Sequence, residues 1–235
     1  MTINTLCYSC VMFYFDKFNG KKVLKSSILN DVEHLFTTRG YSINDLALDN
    51  LIHPTQTHTS HIEIAQIGKT DYPETDALIL TNKIQTVYLN FADCTPLIFY
   101  DSENQIGAVS HAGWRGTAGM IGVKTVEKMV NDFASKPENI KCAIGPAIGL
   151  CCYNVGEDVF NKLMSTVDNS KGLYEIRNGE IFVDLKNINK RQLEIAGLSE
   201  IDVCPFCTVC NNDLFYSYRK ENGTKFRHNA VLSLK

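Results

Sequence analysis

Short apolar runs separated by turn residues dominate the first half of the chain. Segments 34–38, 61–67, 77–80, 86–91, 97–100 and 106–110 are rich in β-branched or aromatic residues and are bounded by Asp, Asn, Gly or Pro. That pattern predicts strands. From about 117 to 134 the period changes, with Met120, Val123, Val126, Val130 and Phe133 recurring as on one side of a helix. A second helix is expected over 184–196 from Leu185, Ile188 and Ile195, with Asp184 as N-cap and Gly197 as its stop. A third should begin near Val155 or Gly156 and end before Asp168. Strands are expected again at 214–219 and 230–234.

No internal repeat, low-complexity tract or Pro/Gly/Ser linker interrupts this order. The expectation is one α/β domain over 1–235, a mixed sheet with helices packed on it. The 235 residues, 44% of them hydrophobic, suffice for a sizeable core. A net charge of -3 gives no electrostatic reason to expect nucleic acid or an anionic membrane as partner. An acidic substrate must therefore be met by local cations.

Segment 6–15 is mildly apolar, but no basic residue precedes it and Asp16 and Lys17 follow at once, which is not the charge order of a signal peptide. No run approaches the length of a membrane span. Nine cysteines without an export signal read as thiols in a reducing compartment. The expectation is a soluble cytoplasmic protein; the sequence sets no oligomeric state.

Candidate chemistry concentrates in Ala92-Asp93-Cys94-Thr95-Pro96 and Ser110-His111-Ala112-Gly113-Trp114-Arg115-Gly116, with Gln56-Thr57-His58 upstream. The first interrupts an apolar stretch with a charge, a thiol and a proline, which a core strand does not need. The second ends a strand, admits close backbone approach through its glycines and carries the only Trp. Two histidines and a cysteine make a three-ligand zinc or copper site, the number a catalytic zinc uses when its fourth position holds water or substrate. The bland alternative is a buried thiol and satisfied imidazoles. A helix starting near Trp114 offers free N–H groups to an anion, with Arg115 adding a planar fork. Asp93, next to Cys94, is a candidate to orient a ligand from outside the metal's own shell.

Two other groupings compete. His61-Ile62-Glu63 with Pro205-Phe206-Cys207-Thr208-Val209-Cys210 imitates a nucleobase-deaminase signature, but with an extra residue after the proline and the halves too far apart, so it reads as coincidence. Cys204, Cys207 and Cys210 form a thiol run that needs a fourth ligand, from Cys7 or Cys10, to make a structural metal site. Reduced or buried thiols are the preferred reading there.

The motifs Phe36-Thr37-Thr38-Arg39, Gln56-Thr57-His58, Thr75-Asp76-Ala77-Leu78, Ala92-Asp93-Cys94-Thr95-Pro96-Leu97, His111-Ala112-Gly113-Trp114-Arg115-Gly116, Ile144-Gly145-Pro146-Ala147-Ile148, Cys152-Tyr153, Cys207-Thr208 and Phe215-Tyr216-Ser217-Tyr218-Arg219, in that order, resemble the laccase-domain family. Its members are described as polyphenol oxidoreductases and as zinc-dependent purine nucleoside phosphorylases with adenosine deaminase activity. The resemblance implies a compact α/β fold, a metal at His58, Cys94 and His111, and Arg39 beside it holding an anion, most simply phosphate. Two departures bear on the pocket: Gly40-Tyr41-Ser42 replaces a double-glycine turn, and Asn154 stands where a glutamate is common.

The leading expectation is thus a zinc enzyme acting on purine nucleosides and phosphate, with Arg39 and then Arg115 as anion contacts. In that reading a water of lowered pKa deaminates adenosine, or phosphate displaces the base. A copper-dependent phenol oxidase is the second reading, with copper as alternative occupant of the same site. The six histidines include no His-x-His pair, so a three-copper cluster of the blue-oxidase kind is not expected. An amidase editing peptidoglycan precursors and a non-enzymatic metal-binding domain remain as rivals.

Overall fold

A strand covered on both faces must be apolar at nearly every position, and the strand Thr95–Asp101 is buried throughout. Ile98 and Tyr100 enter one core and Leu97 and Phe99 the other, as the two-residue period of a strand requires. In the computed structural model, which describes residues 12–234, this strand is β8 and lies at the centre of the molecule.

Two six-stranded sheets enclose the first core. One runs in the order β1 (Phe13–Phe18), β2 (Lys21–Ser26), β3 (Glu33–Thr37), β15 (His228–Ser233), β7 (Thr86–Phe91) and β4 (Leu51–Ile52). The other runs β14 (Glu200–Val203), β10 (Ile140–Ile144), β8, β9 (Ile106–Ala112), β6 (Ala77–Leu80) and β5 (Ile62–Ile64). Both are mixed, since β4–β7, β10–β14 and β5–β6 pair in parallel and the other neighbours antiparallel. Leu24, Phe36, Leu89 and Leu232 of the first sheet meet Leu78, Ile98 and Val109 of the second.

On the far side of the second sheet, α2 (Ile121–Phe133) and α4 (Leu185–Ile195) close the other core through Ile121, Val126, Met129 and Leu193. A smaller cluster joins α3 (Glu157–Met164), α4 and a three-stranded sheet of β11 (Asn154–Val155), β13 (Glu180–Val183) and β12 (Tyr174–Arg177), with Trp114 packed against it. The mixed α/β class holds, with its strands divided among three sheets. Among the described residues no helix is long and apolar enough to cross a membrane.

Three differences from the sequence expectations have physical reasons. The helix expected over 117–134 is two, α1 (Trp114–Ala118) and α2, broken at Gly119 and at Met120, which is left-handed with φ 56°. Its buried face is Ile121, Gly122, Thr125, Val126 and Met129. Gly122 lets the helix approach Leu97 closely, and the Thr125 hydroxyl is satisfied by the Ile121 carbonyl and by Ser110. Small and polar residues on the packed face thus hid its true direction. No strand forms over 214–219; that segment is turns, tied by Asn212 and Ser217 to Glu221. The hairpin β1–β2 turns at Asn19-Gly20, both with positive φ, the pairing a tight hairpin favours. By contrast α4 follows its expected limits, with Asp184 accepting from the Asn187 N–H at 3.1 Å and Gly197 at φ +97° beyond its end.

Candidate metal centre

His58, Cys94 and His111 approach from three separate segments until their ligand atoms lie within 4.8 Å of one another. The buried carboxylate of Asp76, immediately before β6, organises two of them. It accepts from the backbone N–H of Thr57 (3.2 Å), His58 (3.1 Å) and Thr59 (2.7 Å), from the Thr59 hydroxyl (2.9 Å) and from His111 Nδ1 (2.7 Å). This nest of donors holds His58 in the left-handed region at φ 62°, a conformation a β-carbon disfavours. An ionised carboxylate only accepts, so Nδ1 of His111 carries the proton and Nε2 is left free towards Cys94. Gln56 fixes the same loop by exchanging two hydrogen bonds with the backbone of Asn90 on β7.

Cys94 follows Asp93, itself left-handed at φ 82°, at the entrance to β8. The Asp93 carboxylate is turned to other partners than His58 and His111. It accepts from the Thr208 hydroxyl at 2.6 Å and the Arg219 N–H at 2.7 Å, bracing the Cys94 turn against the 204–219 segment. The orienting carboxylate is Asp76 instead. Gly113 completes the cradle, because a β-carbon there would stand 2.9 Å from Cys94 Sγ and 3.3 Å from His58.

Charge follows from this geometry. Burial alone would raise Asp76, but the hydrogen bonds from His111 and Thr59 hold its carboxyl down to about 2. Burial opposes ionisation of both Cys94 and His111, yet their mutual attraction wins: the thiol is shifted down and the imidazole up. Each group thus favours the charged form of the other, and a metal cation held here would take the place of a His111 proton as the partner of the Cys94 sulfur. Two atoms each about 2.0–2.3 Å from one ion lie at most about 4.6 Å apart. The three donors are on that scale, and their chemistry suits zinc or copper.

The trio lies in a cavity of about 720 Å3, within the roughly 300–1,000 Å3 usual for small-molecule sites. Trp114, Tyr153 and Tyr218 supply aromatic surface, and Arg219, Lys225 and Arg227 supply positive charge. None of these three cations has a carboxylate within ion-pair distance among the described residues. Arg219 is instead pinned by the side chain and carbonyl of Asn154, the residue standing where a glutamate was expected. Burial first, and then the Cys94 charge, push the Tyr153 phenol up to about 12, so it remains a hydrogen-bond donor.

The two arginines singled out from sequence lie elsewhere. Arg39 is not part of the cavity wall: it pairs with Glu221 at 2.6 Å, donates to the Asn212 carbonyl at 2.7 Å and stacks over Tyr216 at 4.4 Å. Arg115 is exposed and lies on the Trp114 ring at 4.3 Å, on a helix of only five residues. His61 is also exposed, 3.8 Å from Glu63. Of the expected thiol run, Cys204 is buried apart, whereas Cys207 and Cys210 meet Cys151 and Cys152. Cys7 and Cys10 lie outside the described residues. The residues that sequence reasoning missed are Asp76, which sat in a quoted motif without a role, and the cations Arg219, Lys225 and Arg227.

The fold places the chain among the α/β proteins of a metal-dependent family. The chain is a member of the family described as multi-copper polyphenol oxidoreductase laccase, matched over residues 27–235. It is 35% identical over 198 residues to a Deinococcus radiodurans protein named purine nucleoside phosphorylase, covering 83% of this chain and 72% of that one. It is 32% identical over 187 residues to adenosine deaminase RL5 from an unknown prokaryotic organism, covering 74% and 71%. The crystal structure of Bacillus licheniformis YfiH superposes with a TM-score of 0.88 at 28% identity, over 95% of this chain and 99% of that one.

Proposed function

We propose that this protein is a zinc-dependent purine nucleoside enzyme, cleaving nucleosides with phosphate and deaminating adenosine. The observation that carries the reading is the open three-ligand centre set in a cavity with aromatic walls and unpaired cations. The names of the relatives point to the same substrates. His58, Cys94 and His111 are the ligands in this proposal. A zinc ion held there supplies Lewis acidity and lowers the pKa of a water to near neutrality.

The chain's own residues divide the remaining work. Asp76 fixes the tautomer and direction of His111 and the backbone of His58. Trp114, Tyr153 and Tyr218 offer faces on which a purine stacks. Arg219, Lys225 and Arg227 receive the phosphate, with Arg219 preset by Asn154. Arg39 acts at a distance, by holding the 212–221 turn that leads into this wall through Asn212 and Glu221. Arg115, stacked on Trp114, has no part in this reading beyond that contact.

Neither purine reaction needs an electron acceptor, which makes the metal a discriminating variable. Copper-free zinc protein should convert adenosine to inosine, and should release base from inosine only when phosphate is supplied. If zinc protein is inert on all purine nucleosides while copper-loaded protein oxidises phenols, the oxidase reading replaces this one.

A further inference from the structure

A second group of metal-ligating side chains lies outside the cavity. Cys151 and Cys152 sit in the turn after β10, where the Gly149 carbonyl accepts from the N–H of Cys152 at 2.9 Å and of Tyr153 at 3.0 Å. Cys207 and Cys210 sit in the segment after β14. The two segments are zipped together: Ala147 and Cys207 form a parallel bridge, and the Thr208 N–H reaches the Ala147 carbonyl at 3.1 Å. The result places four sulfurs within 4.8 Å of one another, with Cys210 Sγ 3.5 Å from both Cys151 Sγ and Cys152 Sγ.

The spacing selects among the chemistries open to four thiols. A disulfide needs sulfurs at about 2.05 Å, and all four cysteines are free. One tetrahedral zinc with Zn–S bonds of about 2.3 Å sets its sulfurs about 3.8 Å apart, inside the observed range. An iron–sulfur cluster shares its thiolates among several irons and spreads them further.

The surroundings fit an anionic metal complex. The Gly149 N–H donates to Cys207 Sγ at 3.2 Å. Arg177, paired with Glu175 at 2.6 Å, donates to the carbonyls of Leu150 and Cys151, both at 3.2 Å, and so fixes the turn that carries the first two thiols. The buried Lys186 lines one 400 Å3 pocket together with Cys151 and Cys207. Cys151 and Cys210 are exposed, so an ion has a route in.

We infer that Cys151, Cys152, Cys207 and Cys210 bind one zinc ion in a closed structural site, separate from the His58, Cys94 and His111 centre. Binding exchanges the thiol protons, released to solvent, for the dication, and no electrons are transferred. Four protein ligands leave no open position, so the site clasps rather than catalyses. It joins the turn that carries Ile148 and Tyr153 to the segment that leads to Tyr218 and Arg219, and all four of those residues line the cavity.

Two measurements on the full-length chain test this independently of the nucleoside reading. Timed alkylation with residue-level mass mapping, on zinc-loaded and chelator-treated protein, should show Cys151 and Cys210 protected at least about tenfold by zinc. X-ray absorption on Cys94→Ala protein should then find about one zinc per chain with a shell of four sulfurs near 2.3 Å. Equal alkylation rates with and without zinc overturn the proposal, as does a disulfide among the four or iron in place of zinc. Should Cys94→Ala fail to fold, the wild-type alkylation rates decide alone.

Discussion

The protein gathers thiols in two places, and the difference between them separates chemistry from architecture. At the cavity floor one cysteine is joined by two imidazoles, and the three ligands are positioned by strand ends and a carboxylate with no solvent exposure. Near the surface four cysteines meet on two turns, with backbone N–H groups and neighbouring cations around them. Three ligands leave a coordination position open for water or substrate, whereas four close the shell. The first centre also faces a 720 Å3 cavity, and the second a smaller one of 400 Å3 that holds none of its aromatic walls. Ligand count and what lies in front of the ligands, more than the mere presence of sulfur, separate the two roles proposed above.

The largest effect should come from removing a ligand at the cavity floor. His111→Ala or Cys94→Ala should abolish metal at that centre and lower kcat/KM at least about a thousandfold, because metal polarisation is worth several kcal/mol. Metal analysis and steady-state kinetics check both. Full occupancy in such variants would break the comparison outright.

Next comes Asp76→Asn, which keeps the shape and removes the charge. Metal affinity should fall about 10–100-fold, as for other residues that orient a ligand, and a competition titration reads this directly. Stability should fall by about 2–3 kcal/mol at neutral pH, since the carboxyl is held near 2 against about 3.9 unfolded. A depressed carboxylate stabilises above its unfolded pKa and ceases to do so as pH falls through its folded one. In metal-free protein, the difference between wild type and Asp76→Asn should therefore be complete above about pH 5 and be lost as the pH falls below about 2 in denaturant titrations.

Arg219→Ala should act on binding more than on turnover. Loss of a charge-assisted contact, worth about 1.5–3 kcal/mol, should raise the phosphate requirement about tenfold or more while metal content stays unchanged. Smallest of all, Arg39→Ala breaks a half-exposed ion pair with Glu221. It should cost no more than about 1 kcal/mol and leave zinc occupancy at wild-type level. An equal or larger rise in phosphate requirement for Arg39→Ala than for Arg219→Ala would reverse the roles given to the two arginines.

The sequence was most legible where local rules act. The runs 77–80 and 86–91 coincide with β6 and β7, and α4 keeps its N-cap and stop. The Asn19-Gly20 hairpin obeys the same rules, but its strands mix apolar residues with Asp16, Lys17, Lys21, Lys22 and Lys25 and so form no apolar run. Cys94 and His111 stood out beside apolar stretches, whereas His58, in a polar segment, joined them through the family resemblance. What holds the trio could not be read in this way, since Asp76 stands on a different strand end and its partners lie at Thr57, His58, Thr59 and His111. The four-thiol group was half visible as Cys207-x-x-Cys210. Its other half comes from the turn after β10, brought alongside by the parallel pairing of β10 with β14. Arg39 carried the right chemistry for an anion, but Glu221, far along the chain, occupies its guanidinium. Sequence patterns report which groups are available, while long-range pairing decides which of them are already taken.

The most direct test of the central claim is a zinc titration of metal-free protein beside the same titration of Cys94→Ala, which removes a ligand of the cavity-floor centre alone. Phosphate-dependent release of base from inosine should rise with added zinc and saturate in the first and stay at background in the second. Wild-type activity that is full before zinc is added, or that never appears at any zinc level while the protein remains folded, would contradict the account.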